Sequence, residues 1–71
     1  MVAGDRIPRK HITNRAGIDV VEGWGSIAAI LGRSERTVMR YRIPVNREAI
    51  SGKVWIELSV LLRWAQKNDL L

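Results

Sequence analysis

The sequence lacks cysteine and phenylalanine and has a single histidine. Without cysteine the chain has neither a disulfide nor a thiolate zinc site, so its stability must come from packing. His11 has no carboxylate or cysteine at ligand spacing, and we expect it to be exposed, without a metal or catalytic role. With no phenylalanine and no strand bearing paired exposed aromatics, base stacking of the kind used by RNA-binding sheets is not expected.

Long apolar runs and enzyme motifs are also missing. No apolar stretch approaches the roughly 20 residues that cross a bilayer, and the basic amino terminus lacks the apolar region of a signal peptide, so we expect a cytoplasmic protein. The sequence has no glycine-rich phosphate loop and no clustered carboxylates, and 71 residues offer little room for a deep active site. We therefore expect no enzyme activity, no cofactor and no small-molecule substrate.

Acidic residues are few. Twelve Lys and Arg against seven Asp and Glu give a net charge of +5, which favours a polyanionic partner. Much of the excess lies between residues 33 and 53, where two acids, Glu35 and Glu48, stand against six cations: Arg33, Arg36, Arg40, Arg42, Arg47 and Lys53.

Residues 24–41 have the pattern of two short helices joined by a tight turn. Ala28 or Ala29 supplies the small side chain that a close crossing needs, and Gly32 can adopt the left-handed conformation that ends a helix. Ser34 is suited to be the N-cap of the second helix, accepting from a backbone N–H near Arg36 or Thr37. Val38 is then placed to pack back on the first helix.

The second helix is predicted to carry a cationic outer face. The 3.6-residue period turns Val38 and Tyr41 inward and leaves Arg36, Met39 and Arg40 outward, with Ser34 and Thr37 at the edge. Arginine can bind guanine O6 and N7 with two hydrogen bonds in the major groove, which favours a recognition helix over residues 34–42. The alternative is an ordinary helical hairpin with a solvated basic face.

The flanking segments complete a small domain. Residues 1–17 have little apolar periodicity, and we expect them to form a flexible basic tail that either follows DNA or has no role in binding. We expect residues 18–71 to form the domain.

For residues 18–23, which lead into the first helix, an extended segment and a turn of helix both remain open. Pro44 must stop the helix by about Arg42. Strands are predicted at residues 43–45 and 54–58, joined by a loop over residues 46–53 that is either a basic wing or a plain flexible loop. A last helix, capped by Ser59 and running from Val60 to about Asn68, closes the core.

This order resembles the MerR-like winged helix-turn-helix domains of phage excisionases, terminase small subunits and small bacterial regulators. The resemblance covers about residues 24–68 and rests on Ile27-Ala28, Leu31-Gly32, Ser34, Thr37-Val38, Arg40, Pro44, Gly52 and Trp64. It departs from the family in one place, since the family has several more residues where here only Arg42 separates Tyr41 from Ile43.

The resemblance implies an α+β, mostly helical domain with a two-stranded hairpin wing and a C-terminal helix. It implies binding of double-stranded DNA, with Arg36, Thr37 and Arg40 in the major groove and Arg47 and Lys53 on phosphate or minor groove. Arg33, Ser34 and Arg42 complete the set of expected DNA contacts. The other hypothesis is a protein-interaction module that uses the apolar C-terminal helix and Leu70 and Leu71, and the two can coexist in a homo-oligomer on DNA.

Overall fold

The computed structural model describes residues 9–70, which form an α+β fold of three α-helices and a four-stranded antiparallel sheet. After a 3-10 turn at Arg9–His11, the elements are β1 (Thr13–Arg15), β2 (Ile18–Glu22), α1 (Trp24–Leu31), α2 (Glu35–Arg40), β3 (Asn46–Arg47), β4 (Val54–Glu57) and α3 (Leu58–Lys67). The strand order across the sheet is β1-β2-β4-β3. Over residues 9–70, no helix is both long enough and apolar enough to span a membrane.

Strands β1 and β2 form a hairpin in which Thr13 pairs with Val20 and Arg15 with Ile18. Its tight turn places both Ala16 and Gly17 at positive φ, 50° and 84°, as the turns that match strand twist require. The expected flexible tail over residues 1–17 is therefore wrong for residues 9–17. Residues 9–11 form a 3-10 turn, Ile12 packs against the core, and pairing with β2 orders residues 13–17, which have no apolar periodicity of their own. The part of that prediction on residues 1–8 lies outside the described residues.

The sheet is wider than the two-stranded hairpin that we expected. Of the two alternatives for the segment before α1, the extended one holds rather than the turn of helix, and residues 18–22 also pair on both sides as strand β2. Strand β2 pairs with β4, with Val21 opposite Ile56. Both side chains are buried in the core. Beyond β2, the Gly23 N–H donates to the Val54 carbonyl at 2.8 Å, which holds the start of α1 against the sheet.

The junction between α1 and α2 agrees with the local sequence signals. Gly32 has φ 69° and its N–H reaches the carbonyls of Ala28 and Ala29. Ser34 is the N-cap of α2, and its Oγ accepts from the Thr37 N–H at 3.2 Å. Val38 is fully buried in the same cluster as Ile27 and Leu31 of α1, and Trp24 packs against that cluster.

Helix α2 is shorter than the predicted 34–42. It ends at Arg40, Tyr41 is its C-cap, and Arg42 takes a left-handed φ of 57°. The turn at Tyr41 and Arg42 is how the short junction before Ile43 is accommodated. Ile43 then enters the core at 5% exposure.

The first strand predicted after α2 is displaced. Residues 43–45 are not a strand, because Pro44 has no N–H and the Val45 N–H donates to the Ile43 carbonyl at 2.7 Å in a tight turn. The pairing begins instead at β3, where Asn46 lies opposite Trp55 and Arg47 opposite Val54.

Helix α3 begins one residue before the predicted cap. Strand β4 ends at Glu57, and α3 follows directly with Glu57 as N-cap and no side-chain cap bond, so Ser59 lies in the first turn. Leu58 is therefore helical and not part of the strand as expected. The helix ends at Lys67, and the Asn68 side chain donates to the Trp64 carbonyl at 2.8 Å.

A single apolar core lies between the helices and one face of the sheet. Its buried members are Val21, Ile27, Ala28, Ile30, Leu31, Val38, Ile43, Val54, Ile56, Leu61 and Ala65. The residues that position α2 are thus anchored from α1, the sheet and α3. His11, expected to be exposed, is half-buried, with its Nδ1 3.3 Å from the Ser26 Oγ of α1.

Candidate nucleic-acid interface

The outer face of α2 carries two arginines with a methionine between them. Arg36, Met39 and Arg40 are all exposed, as the helical period predicted, and Met39 is 55% exposed. Residues three and four apart on a helix have Cβ atoms about 5–6 Å apart. Arg36 therefore neighbours both Met39 and Arg40, and the three side chains form one continuous surface.

The hydroxyl groups at the start of α2 are already partly engaged. The Ser34 hydroxyl donates to the Thr37 Oγ1 at 2.9 Å and accepts from the Thr37 N–H at 3.2 Å. Its hydrogen is therefore used within the helix, whereas the half-buried Thr37 retains its own hydroxyl hydrogen as a donor. Of the two predicted hydroxyl contacts, Thr37 is the one with a hydrogen left to donate.

The predicted contact residues differ in whether a carboxylate lies close enough to neutralise their charge. Within residues 9–70, ion pairs join only Arg15 and Lys53 to Glu22 and Glu48. Five exposed arginines of the predicted set consequently have no carboxylate from this part of the chain within 4.0 Å: Arg33, Arg36, Arg40, Arg42 and Arg47.

Lys53 is the exception among the predicted contacts. Its Nζ lies 3.9 Å from the Glu22 Oε1, while the other oxygen of Glu22 is paired with Arg15. Arg15 in turn lies 3.9 Å from Glu48. This cluster, which we call the sheet ion cluster (Arg15, Glu22, Glu48 and Lys53), joins β1, β2 and the β3–β4 loop, and it reduces the positive field that Lys53 contributes.

The β3–β4 loop, residues 48–53, is closed by hydrogen bonds. The Glu48 N–H donates to the Lys53 carbonyl and the Gly52 N–H to the Glu48 carbonyl, both at 2.9 Å. The Ser51 hydroxyl donates to the Glu48 carboxylate at 2.9 Å and accepts from the Lys53 N–H at 3.2 Å. These hydrogen bonds hold the loop in one compact conformation, and its tip exposes Ile50 completely.

The structure brings some of the predicted residues together and leaves others apart. Arg36 and Arg40 share the outer face of α2, with Arg33 and Arg42 just beyond its two ends, whereas Arg47 and Lys53 flank the β3–β4 loop. Two exposed residues of α2 lie outside the predicted set: Glu35, whose carboxylate lies beside Gly25 of α1, and Met39, which shares the outer face with Arg36 and Arg40. The helical period alone had already placed Met39 outward.

The apolar residues of α3 lie within the fold. Leu61 and Ala65 are fully buried, Trp64 packs on Tyr41 with ring centroids 5.9 Å apart, and Leu70 is half-buried against the core. Leu71 lies outside the described residues. Among residues 58–70, the side chains that an interaction module would offer to a partner are therefore largely occupied by the core of this chain.

Comparison with protein-family models, with curated proteins and with solved structures gave no match.

Proposed function

We propose that this chain is a non-catalytic winged helix-turn-helix module that binds double-stranded DNA sequence-specifically. Helix α2 would lie in the major groove, with the β3–β4 loop as a wing on the backbone or minor groove. The observation that carries the proposal is the outer face of α2, where Arg36 and Arg40 are exposed and have no carboxylate from residues 9–70 within ion-pair distance.

The charge distribution supports this reading. Acidic side chains near the predicted wing are engaged in the sheet ion cluster, so they do not neutralise α2. An unpaired guanidinium is free to bind guanine O6 and N7 or a phosphate with two parallel hydrogen bonds. The cap at Ser34 fixes where α2 begins, and the burial of Val38 fixes which face it turns outward. Both constraints orient the arginines before any partner is bound.

The division of labour follows from side-chain chemistry. Arg36, Thr37 and Arg40 would read base edges or adjacent phosphates, and Arg33, Arg42, Arg47 and Lys53 would bind phosphate, with Ser34 organising the helix start. Three biological roles fit such a module in a bacterial or phage-infected cell: those of a phage or mobile-element regulator, of an excisionase, and of a terminase small subunit. An adjacent integrase gene would favour excision and an adjacent large-terminase gene packaging.

Selection from random duplexes by gel shift, followed by affinity measurement on the selected site, tests the proposal. Replacement of Arg36 by Ala should reduce discrimination between the selected and a scrambled site by about 1–3 kcal/mol, the worth of one bidentate base contact. The matched control is Arg63→Ala, which removes an exposed arginine from α3.

The outcomes separate the proposal from a general effect of charge. If Arg36→Ala and Arg63→Ala weaken binding equally and discrimination is unchanged, α2 is not the reading element. If the selection enriches no sequence and the protein binds no duplex at low salt, the proposed function is wrong.

A further inference from the structure

Met39 stands out among the large apolar side chains that residues 9–70 leave exposed, which are Ile18, Met39 and Ile50. Ile18 lies on β2 beside Asp19, and Ile50 lies at the loop tip near the Glu48–Ser51 hydrogen bond. Met39 alone neighbours two arginines, Arg36 and Arg40, that lack carboxylate partners within this part of the chain. The nearest acidic residue on α2, Glu35, has its carboxylate beside Gly25 of α1 and forms no ion pair with either arginine. The neighbourhood of Met39 is one that a polyanion would cover.

We infer that Met39 reads the 5-methyl group of a pyrimidine in the major groove. The inference rests on the proposed function, and it names a specificity contact that the arginines cannot make. A thymine presents its methyl group on the major-groove edge, where an apolar side chain can contact it. A methionine side chain is unbranched and polarizable, so it can adapt to a methyl group at the bottom of a groove.

The geometry also limits where the methyl group lies. Cβ atoms three residues apart on a helix are about 5–6 Å apart, and successive base pairs are about 3.4 Å apart. Met39 would therefore contact a pyrimidine one or two base steps from the base that Arg36 binds. Because 5-methylcytosine presents the same methyl group, the chemistry recognised is a 5-methylpyrimidine, from either source.

The test replaces thymines of the selected site, one at a time, by deoxyuridine, which removes only the methyl group. We expect one or two positions at which the wild-type affinity falls about fourfold, the equivalent of ~0.8 kcal/mol for one buried methyl or methylene group. At those positions, replacing thymine by deoxyuridine should not lower the affinity of the Met39→Ala variant. The Met39→Leu variant should still lose affinity with deoxyuridine, because it keeps an apolar side chain. Ile50→Ala, which removes an exposed apolar side chain from another element, is the matched control and should leave the deoxyuridine effect unchanged.

A second arm distinguishes the two sources of the methyl group. At the sensitive position, the thymine pair is replaced by cytosine–guanine with or without a 5-methyl group on the cytosine. If methylation restores part of the lost affinity for the wild type and not for Met39→Ala, the methyl group itself is recognised. If methylation restores nothing while the deoxyuridine effect depends on Met39, the contact reads thymine only.

Failure of this inference differs from failure of the proposed function. A wild-type protein that selects a site and loses discrimination on Arg36→Ala, but tolerates every deoxyuridine, binds DNA without the methyl contact. A deoxyuridine effect of equal size in Met39→Ala assigns the methyl group to another residue. Both results overturn the inference and leave the proposed function intact, whereas absence of any DNA binding overturns both.

Discussion

Two serines show how a residue's effect depends on its position in a helix. Ser34 caps α2, with its Oγ accepting from the Thr37 N–H, whereas Ser59 lies exposed in the first turn of α3 and caps nothing. From the sequence both were predicted to be N-caps, since each precedes an apolar-periodic segment. Only the backbone conformation distinguishes them, because β4 continues into α3 without the loop in which Ser59 would cap.

Substitution of the two serines should therefore give different results. Ser34→Ala should lower the free energy of unfolding by about 1 kcal/mol, because one N–H at the start of α2 loses its acceptor. Ser59→Ala should change it by no more than a few tenths of a kcal/mol, because alanine is the better helix former and no cap is lost. Urea denaturation of the two variants measures both values, and equal losses would contradict the assignment of caps.

At the scale of elements, the helices are largely predictable and the short strands are not. Helices α1 and α2 are bounded by signals that act within a few residues, namely Gly32 in its left-handed conformation and the Ser34 cap. Strands β1 and β3 have three and two residues, and each exists only because a neighbouring strand pairs with it. Such pairing is non-local, so it cannot be predicted from the apolar period or the turn residues of the segment itself.

The same distinction applies to the candidate interface. The outward direction of Arg36 and Arg40 follows from the period of α2 and could be predicted. The proximity of Lys53 to Glu22 could not, because it depends on how the sheet brings the β3–β4 loop beside β2. From the sequence, Lys53 and Arg47 have the same expected role on phosphate or minor groove, although in the structure Glu22 partly compensates the charge of Lys53.

The β1–β2 hairpin can be tested through its turn. Ala16 adopts a φ of 50°, which costs an alanine side chain about 1–2 kcal/mol, and Gly17 follows it at 84°. Ala16→Asn creates Asn-Gly, the pair that this kind of turn favours, and should raise the free energy of unfolding by about 0.5–1 kcal/mol.

A matched substitution serves as the control for this gain in stability. Ala49 is an exposed alanine of the β3–β4 loop that does not have a positive φ, so Ala49→Asn should have little effect. Thermal unfolding of both variants is the measurement. An unchanged stability in Ala16→Asn would mean that residues 13–17 contribute no ordered hairpin.

At the scale of the whole molecule, some of the cations are paired with carboxylates and others are not. The sheet ion cluster compensates Arg15 and Lys53, while the five arginines near α2 and β3 have no carboxylate partner from residues 9–70. Arg9, Lys10, Arg63 and Lys67 have no such partner either, so association with a polyanion should depend on where the cations lie as well as on the net charge of +5.

This distribution predicts how the proposed DNA binding should depend on salt. Three to five phosphate contacts give a slope of log affinity against log salt of about −2.7 to −4.5, because each contact releases condensed counterions. Arg47→Ala should make the slope less steep by about 0.9 if Arg47 binds one phosphate. Lys53→Ala should change it less, because Glu22 already neutralises part of that charge. Fluorescence anisotropy titrations at salt concentrations from about 50 to about 200 mM measure this slope. A flat dependence would exclude electrostatic attraction as the basis of binding.

The left-handed backbone of Arg42 has a consequence for engineering this domain. At a φ of 57° a glycine would relieve most of a conformational cost of about 1–2 kcal/mol, yet it would also delete one of the cations beside α2. Heat tolerance and affinity for a polyanion are therefore opposed at this one position. A library screened for thermal survival alone should therefore enrich glycine at this position, so selection for a more stable domain that keeps the proposed DNA binding has to include binding in every round.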